Sequence, residues 1–173
     1  ENKISIGHKG FEVQTFKDLD FKTATQRRDF TINAIGYDID KKIFLDYYNG
    51  INDLKDKKLK YINETSFRED PLRVLRAVQF CSRFEFDMDK DLFSTCRAMV
   101  KEKLLDELAS ERIFAEIKKL LLKSKKASIG LRLLRDLNIK LFEIDEAKLK
   151  NIDYFISFKT TSNKINLIIL LAI

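Results

Sequence analysis

The sequence is short of the residues that build most metal centres and nucleophilic triads. Among its 173 residues there are one histidine, two cysteines and no tryptophan. Cys81 and Cys96 form no cluster with metal-ligand spacing, and His8 stands alone, which disfavours both a zinc centre and a Ser-His-Asp triad. Two cysteines in a chain of this length suggest buried thiols in a reducing compartment, so we expect a cytoplasmic protein.

Long apolar runs are also missing. The apolar run at residues 167–173 is far shorter than the roughly 20 residues that span a bilayer, so we expect no membrane association. No signal peptide opens the chain, and it contains no internal repeat or low-complexity tract. Because it lacks an initiator methionine and stops within an apolar run, we expect an internal piece of a longer protein, or the ordered part of one.

The residues that are present describe a soluble globular chain. Hydrophobic residues make up 45% and charged residues 35%, in a length that suits one large domain or two small ones. The net charge of +6 and the isoelectric point near 9.2 fit a polyanionic partner such as nucleic acid or a nucleotide. A lysine-coated surface fits equally well, so composition leaves the partner open.

The first 60 residues carry strand signals. Residues 11–16 alternate apolar and polar side chains, as a half-buried strand does. Residues 33–39 and 42–48 are apolar and aromatic and are separated by Asp40-Lys41, which predicts a hairpin. Residues 49–53 predict a turn or loop.

A helical period begins near residue 69. Asp70 is suited to the N-cap, with Pro71 at the first helical position. Further helices are predicted over 92–104, from Asp106 or Ser110 to 121, over 127–137 and over 165–173. The predicted fold class is α+β: a small α/β portion at residues 1–62 leads into a helical portion at residues 63–173.

Residues 69–76, EDPLRVLR, place a carboxylate and a guanidinium on one helical turn. Asp70 only accepts hydrogen bonds and Arg73 only donates them. Adenine and cytosine present an amine donor beside a ring-nitrogen acceptor, so this pair suits them and mismatches guanine and uracil. The simpler alternative is that Asp70 caps the helix while Arg73 pairs with Glu69. Leu72 and Phe80 on the same face favour a partly buried groove.

Residues 27–34, RRDFTINA, mix two arginines with a carboxylate and an amide. Guanidinium groups match phosphate in a bidentate manner. If the segment forms a helical turn, Asp29 and Asn33 share a face and could hold a ribose hydroxyl or a metal-bound phosphate. The alternative is an exposed arginine pair followed by a buried strand.

Taken in order, these motifs resemble a known family. Residues 27–34 resemble the second motif of the bacterial and eukaryotic type of CCA-adding tRNA nucleotidyltransferase, a group shared with bacterial poly(A) polymerase. Residues 46–54, 69–73 and 110–116 resemble the third, fourth and fifth motifs. The resemblance covers roughly residues 11–125. It implies part of a polymerase-β-like nucleotidyltransferase head, followed by a helical neck and body.

The resemblance also implies roles for individual residues. Those that would contact the sugar and triphosphate of the incoming nucleotide are Arg28, Asp29 and Asn33. Those that would read the base or brace the readers are Asp70 and Arg73, with Glu69 and Arg76 in support. Those that would give structural support are Asp46 and Asp53 in a flexible link between head and neck, and Glu111 and Arg112 in the neck.

One motif of the family is missing from the chain. Its Gly-rich turn and two metal-binding aspartates do not occur, and we expect them just before residue 1, so that this chain alone would be inactive. Residues 11–17 resemble the strand that follows that motif, with Glu12 either a third carboxylate or a solvent-facing residue. Asn49-Gly50 stands where the family has a glycine pair, which predicts a somewhat stiffer loop.

The activity implied by the resemblance is addition of C and/or A to the 3′ end of tRNA from CTP and ATP with Mg²⁺. The RNA 3′ hydroxyl would attack the α-phosphate and pyrophosphate would leave. Enzymes that add only A, only CC or a poly(A) tail could share these motifs. A non-catalytic RNA-binding helical protein with a retained nucleotide pocket is the alternative from another class. The sequence does not determine the oligomeric state.

Overall fold

The computed structural model describes residues 20–141 and 146–157. The predicted strand at 11–16, with Glu12, and the predicted helix at 165–173 lie outside these residues. Within the described residues a small portion with short strands precedes a helical portion, which confirms the predicted α+β class. None of the described helices is long and apolar enough to cross a membrane.

The first described elements are a short helix and a hairpin. Helix α1, Phe21–Thr25, begins after Asp20, whose carboxylate accepts a hydrogen bond from the Thr23 backbone N–H. After the 3₁₀ turn Thr31–Asn33, strands β1, Gly36–Asp38, and β2, Ile43–Leu45, pair antiparallel. The predicted hairpin is therefore confirmed, although its first strand starts later because Asn33 belongs to the 3₁₀ turn.

The prediction of a turn or loop at residues 49–53 is wrong. Helix α2, Gly50–Lys55, occupies this stretch. The two carboxylate oxygens of Asp46 accept hydrogen bonds from the backbone N–H groups of Gly50 and Ile51, at 2.8 and 2.9 Å, and so cap the helix. A Cβ at Gly50 would lie 2.3 Å from the Thr31 carbonyl oxygen. Only glycine lets the two backbones approach this closely.

Short strands then connect the two portions of the chain. Strand β3, Lys58–Leu59, pairs parallel with strand β4, Asp87–Met88, which follows the first long helix. Between them, helix α3, Glu64–Arg68, begins after Asn63, whose side chain accepts a hydrogen bond from the Ser66 N–H. An isolated bridge also joins Phe30 to Tyr61.

The helical portion is built around helix α4, Leu72–Phe84, which packs against α6, Ser110–Lys123, and α7, Ala127–Asp136. Helices α5, Lys90–Lys101, and α8, Glu146–Ser157, complete the described part. Helix α4 begins one residue after its predicted start, and α6 begins at the predicted Ser110. Asp106 lies instead in a 3₁₀ turn, Leu104–Glu107.

Non-glycine residues adopt the left-handed conformation at several turns and helix ends of the described chain. Six described residues have positive φ angles between 53° and 61°: Lys42 in the β1–β2 turn, and Asn49, Lys57, Glu85, Lys103 and Asn138 next to helix ends. Glu85 shows the pattern, since it follows the last turn of α4 and lets the Phe86 N–H bond the Cys81 carbonyl oxygen at 3.0 Å. Asparagine tolerates this conformation, but lysine and glutamate are strained by it.

The two cysteines are buried in the helical portion as free thiols, as predicted. Burial raises the pKa of the Cys96 thiol to about 12 and that of Cys81 further still. Both therefore stay protonated at neutral pH and behave as small apolar side chains.

Candidate nucleotide site

Asp29 joins the two segments that the sequence singles out. Its Oδ1 accepts hydrogen bonds from the Phe30 N–H at 2.9 Å and from the Asn33 amide at 2.8 Å. Its Oδ2 accepts from Nε of Arg76 at 2.8 Å and from Nη2 at 2.5 Å. Asp29 and Asn33 therefore share a face, as predicted, but these four bonds fill the carboxylate's lone-pair sites. The role of the Asp29 carboxylate is therefore structural, since it fixes the positions of Asn33 and Arg76.

Arg76 therefore has a different partner from the one expected. Sequence reasoning placed it beside Asp70 and Arg73, whereas the structure places it on Asp29, 47 residues earlier in the chain. Its side chain is 31% exposed and that of Asp29 is 9% exposed, so the ion pair lies at the edge of the interior. The pair ties residues 27–34 to helix α4.

Arg28 immediately precedes Asp29, and its guanidinium lies along residues 28–33. Its Nη1 donates to the Asn33 carbonyl oxygen at 2.8 Å, and the residue is exposed. Within residues 20–141 and 146–157 no carboxylate forms an ion pair with Arg28. Its remaining N–H groups are available to an anion from solution.

Arg73 is held by backbone carbonyl groups. Its Nη1 donates to the Ser66 carbonyl oxygen and, at 3.1 Å, to the Ser66 hydroxyl, while Nη2 donates to the Arg27 carbonyl oxygen at 2.8 Å. The alternative pairing of Arg73 with Glu69 does not occur in the described structure. Glu69 is exposed and ends helix α3. Arg73 thus fixes α3 and residue 27 around the first turn of α4.

Asp70 caps helix α4, as one of the two alternatives predicts, and it also pairs with Arg112. Its Oδ1 accepts from the Leu72 N–H at 3.2 Å, as a helix cap does. Both carboxylate oxygens also accept from Nη2 of Arg112 at 3.1 Å, with the two side chains 35% and 49% exposed. Neighbouring Glu111 is exposed and, in the described part of the chain, forms no side-chain hydrogen bond. Asp70 keeps enough exposure to accept a further bond from a ligand.

Asp53 connects helix α2 to Thr31, in the segment that carries Asp29, and to Lys60. It is only 3% exposed, and it accepts hydrogen bonds from the Thr31 hydroxyl and from Lys60 Nζ, both at 2.8 Å. The bond to Asp53 raises the pKa of Lys60, which therefore stays charged. Sequence reasoning missed Thr31 and Lys60. Asp53 lies in a polar stretch, residues 49–58, so no local signal in the sequence showed that its carboxylate is buried and needs these partners.

Metal ligands do not gather in this part of the protein. No group of three His, Cys, Asp or Glu residues that could hold an ion occurs among residues 20–141 and 146–157. Asp29 and Asp53 are buried and already saturated or paired, so they do not fit a magnesium ion. The groups that stay open to a ligand in the described site are the exposed Arg28 guanidinium and the partly exposed Asp70 carboxylate.

Comparison with known proteins identifies the family of the chain. Residues 3–60 match the family described as Poly A polymerase head domain, and residues 85–151 match the one described as Probable RNA and SrmB- binding site of polymerase A. The Multifunctional CCA protein of Stenotrophomonas maltophilia strain K279a is 37% identical over 139 residues, which are 79% of this chain and 34% of that protein. The chain belongs to the CCA-adding and poly(A) polymerase family.

Solved structures of this family share the fold. A tRNA-processing enzyme with CTP is 29% identical at a TM-score of 0.73, over 89% of this chain and 47% of the other. A tRNA nucleotidyltransferase complexed with a primer tRNA and an incoming ATP analogue is 28% identical at a TM-score of 0.73, over 91% and 52%. The chain spans about a third of the length of the curated relatives it matches.

Proposed function

We propose that the protein carrying this chain is a template-independent nucleotidyltransferase that adds C and/or A to the 3′ end of tRNA, in the cytoplasm, from CTP and ATP. One observation carries the proposal. Asp70 and Arg73 lie on one helical turn, in which the Arg73 backbone N–H donates to the Asp70 carbonyl oxygen at 2.9 Å. Their side chains do not bond each other in the described structure, so both can contact a ligand.

Base selection follows from that turn. Asp70 offers acceptor sites and Arg73 offers donors, so an adenine or cytosine edge meets one of each. Guanine and uracil would bring a carbonyl towards the carboxylate and a ring N–H towards the guanidinium, and both contacts would be repulsive. Because the three bonds from Arg73 to Ser66 and Arg27 hold its guanidinium in place, it cannot swing away from the wrong base.

The phosphates would lie on the side of the Asp29–Arg76 pair that is opposite to Asp70, Arg73 and the base. Arg28 is exposed, permanently charged and free of carboxylate partners in the described structure, so it is suited to the triphosphate. Asn33, half-buried beside it, is suited to a sugar hydroxyl. Asp29 and Arg76 would act by fixing both residues relative to α4.

The chemical step needs groups beyond the described residues. Mg²⁺, held by the aspartates expected upstream of residue 1, would neutralise the phosphates and align the attacking 3′ hydroxyl. The described residues would bind the nucleotide, select its base and keep its α-phosphate in line with the RNA end. We therefore expect this chain alone to bind nucleotide without turnover. We also propose that the chain divides at residue 62 into a nucleotidyltransferase head, residues 1–62, and a helical neck and body, residues 63–173.

The direct test uses the intact protein and tRNA transcripts that lack their 3′ ends. Labelled CTP and ATP should be incorporated in sequence, whereas labelled GTP and UTP should not. A protein that incorporates only ATP, only CTP or a long A tail would belong to one of the alternative activities of the family. If neither nucleotide is incorporated while a control enzyme is active, the non-catalytic RNA-binding alternative replaces the proposal.

Substitution of Arg28 separates phosphate binding from base reading. Arg28→Ala should raise the KM for CTP and ATP by the same factor, about tenfold, because a lost charge-assisted contact to phosphate costs roughly 1.5 kcal/mol or more. Steady-state kinetics with each nucleotide at saturating tRNA would measure it. Arg27→Ala is the matched control, since Arg27 contributes its carbonyl oxygen to the site and keeps it in the variant. An effect on one nucleotide only would contradict the assignment.

A further inference from the structure

A row of phenylalanine rings leads from the nucleotide site to the surface. Phe30, adjacent to Asp29 and fully buried, has its ring centroid 5.2 Å from that of Phe80. Phe80 lies 5.5 Å from Phe84, and Phe84 lies 5.8 Å from Phe86. Phe86 is buried, but Phe84 is 42% exposed. The row therefore presents one ring to solvent in an orientation that its packed neighbours fix.

Guanidinium groups lie over two of these rings. The Cζ atom of Arg76 is 5.6 Å from the centroid of Phe80, and that of Arg83 is 5.0 Å from the centroid of Phe84. Both distances are within the range of a cation–π interaction. These four residues are spaced so that they run along one side of α4. We refer to Arg76, Phe80, Arg83 and Phe84 as the α4 surface.

The exposed end of the α4 surface is surrounded by more cations than carboxylates. Glu85 ends the helix, and its pKa is lowered chiefly by a 2.7 Å bond from Lys126, with smaller contributions from Lys57 and Lys125. Asp153 lies within electrostatic reach of Lys126, and the exposed Asp87 follows Phe86 directly in the chain. With Arg83 included, four cations accompany three carboxylates. A polyanion is the ligand that this charge favours.

We propose that the α4 surface binds single-stranded RNA and guides the 3′ end towards the nucleotide site. Stacking rings interleaved with cations are what single strands bind without regard to sequence, because every base has a π-face and every nucleotide a phosphate. From Arg76 to Phe84 the surface extends about 12 Å along α4. Its inner end is Arg76, which is bonded to Asp29.

This inference rests on the proposed function, because an RNA end must reach the bound nucleotide for transfer to occur. A second copy of the chain could cover an exposed ring equally well, but it would not account for the cations around Phe84. Charge complementarity therefore favours RNA over a protein partner.

The test measures RNA affinity of the intact protein by fluorescence anisotropy, with a labelled tRNA that lacks its 3′-terminal nucleotides. Phe84→Leu should weaken binding by about tenfold, since loss of one base–aromatic stack has an effect of that order. Arg83→Gln should reduce the slope of log affinity against log salt concentration by about one, as loss of one phosphate contact does. ATP binding in the absence of RNA should stay at the parent level in both variants.

The matched control is Phe114→Leu. Phe114 is 50% exposed on α6 and stacks on no other described ring, so its replacement should leave RNA affinity unchanged. Circular dichroism melting curves would show that all three variants are folded. If RNA affinity and salt slope stay at the parent level in the Phe84 and Arg83 variants, the inference is overturned. Loss of a dimer in the Phe84 variant with unchanged RNA affinity would assign the face to a second copy and also overturn it.

The outcomes separate this inference from the proposed function. A protein that incorporates CTP or ATP but binds RNA independently of Phe84 and Arg83 would retain the function and lose the RNA surface. A protein that binds RNA through Phe84 but incorporates neither nucleotide would retain the surface and lose the function.

Discussion

Replacing Asp70 with asparagine should lower the preference for ATP over GTP, and for CTP over UTP, by about tenfold or more. Asparagine keeps an oxygen that can accept the Leu72 N–H, but it adds an amide donor that suits the carbonyl groups of guanine and uracil. Because the helix cap is kept, stability should change little. The ratio of kcat/KM values for the four nucleotides on tRNA lacking its 3′ end measures the effect.

Arg112→Gln is the control for that prediction. It breaks the same ion pair from the α6 side and leaves the Asp70 carboxylate intact. Since an exposed pair contributes about 0–1 kcal/mol, the selectivity of this variant should change much less than that of Asp70→Asn. Equal loss of selectivity in the two variants would assign base choice to the ion pair. Unchanged selectivity in Asp70→Asn would reduce Asp70 to a helix cap.

Replacing Asp29 with alanine should destabilise the protein by about 2–3 kcal/mol. The change removes four hydrogen bonds and leaves Arg76 without its carboxylate partner. Loss of one member of a buried pair costs about 3–5 kcal/mol, and the 31% exposure of Arg76 reduces that figure because water can solvate the guanidinium. The midpoint and slope of urea unfolding, followed by circular dichroism, give the change in free energy.

Asp106→Ala is the matched control, because Asp106 is exposed and its carboxylate has no hydrogen-bond partner among the described residues. It should change stability by less than about 0.5 kcal/mol. A double-mutant cycle between Asp29→Ala and Arg76→Ala should give a coupling energy of about 1 kcal/mol or more. Additive effects of the two substitutions would mean that the pair does not join the two segments energetically.

The elements that sequence reasoning placed correctly are those whose signals are local. The hairpin at β1 and β2 and the long helices follow from alternating or helical spacing of apolar residues within one stretch of chain. Helix α2 was missed because Asn49-Gly50 has the composition of a turn. Its cap, Asp46, lies four residues before the first helical residue, outside the usual position.

The candidate site shows the same limit more sharply. The motifs indicated Asp29, Asp70 and Arg73 by residue type and spacing. They could not indicate the partners, because Asp29 bonds Arg76 and Asp70 bonds Arg112 over separations of 47 and 42 residues. Pairings over such distances depend on how α4 and α6 pack, and a single sequence contains no local signal for that.

The left-handed residues at turns and helix ends affect how the protein is maintained in a cell. Each of Lys42, Lys57, Glu85 and Lys103 has a positive φ that glycine would adopt without strain, and each costs about 1 kcal/mol. Natural proteins have only a small stability margin, so several such residues take up a noticeable part of it. Substitutions far from the proposed nucleotide site would then reduce the amount of folded protein before they alter its chemistry.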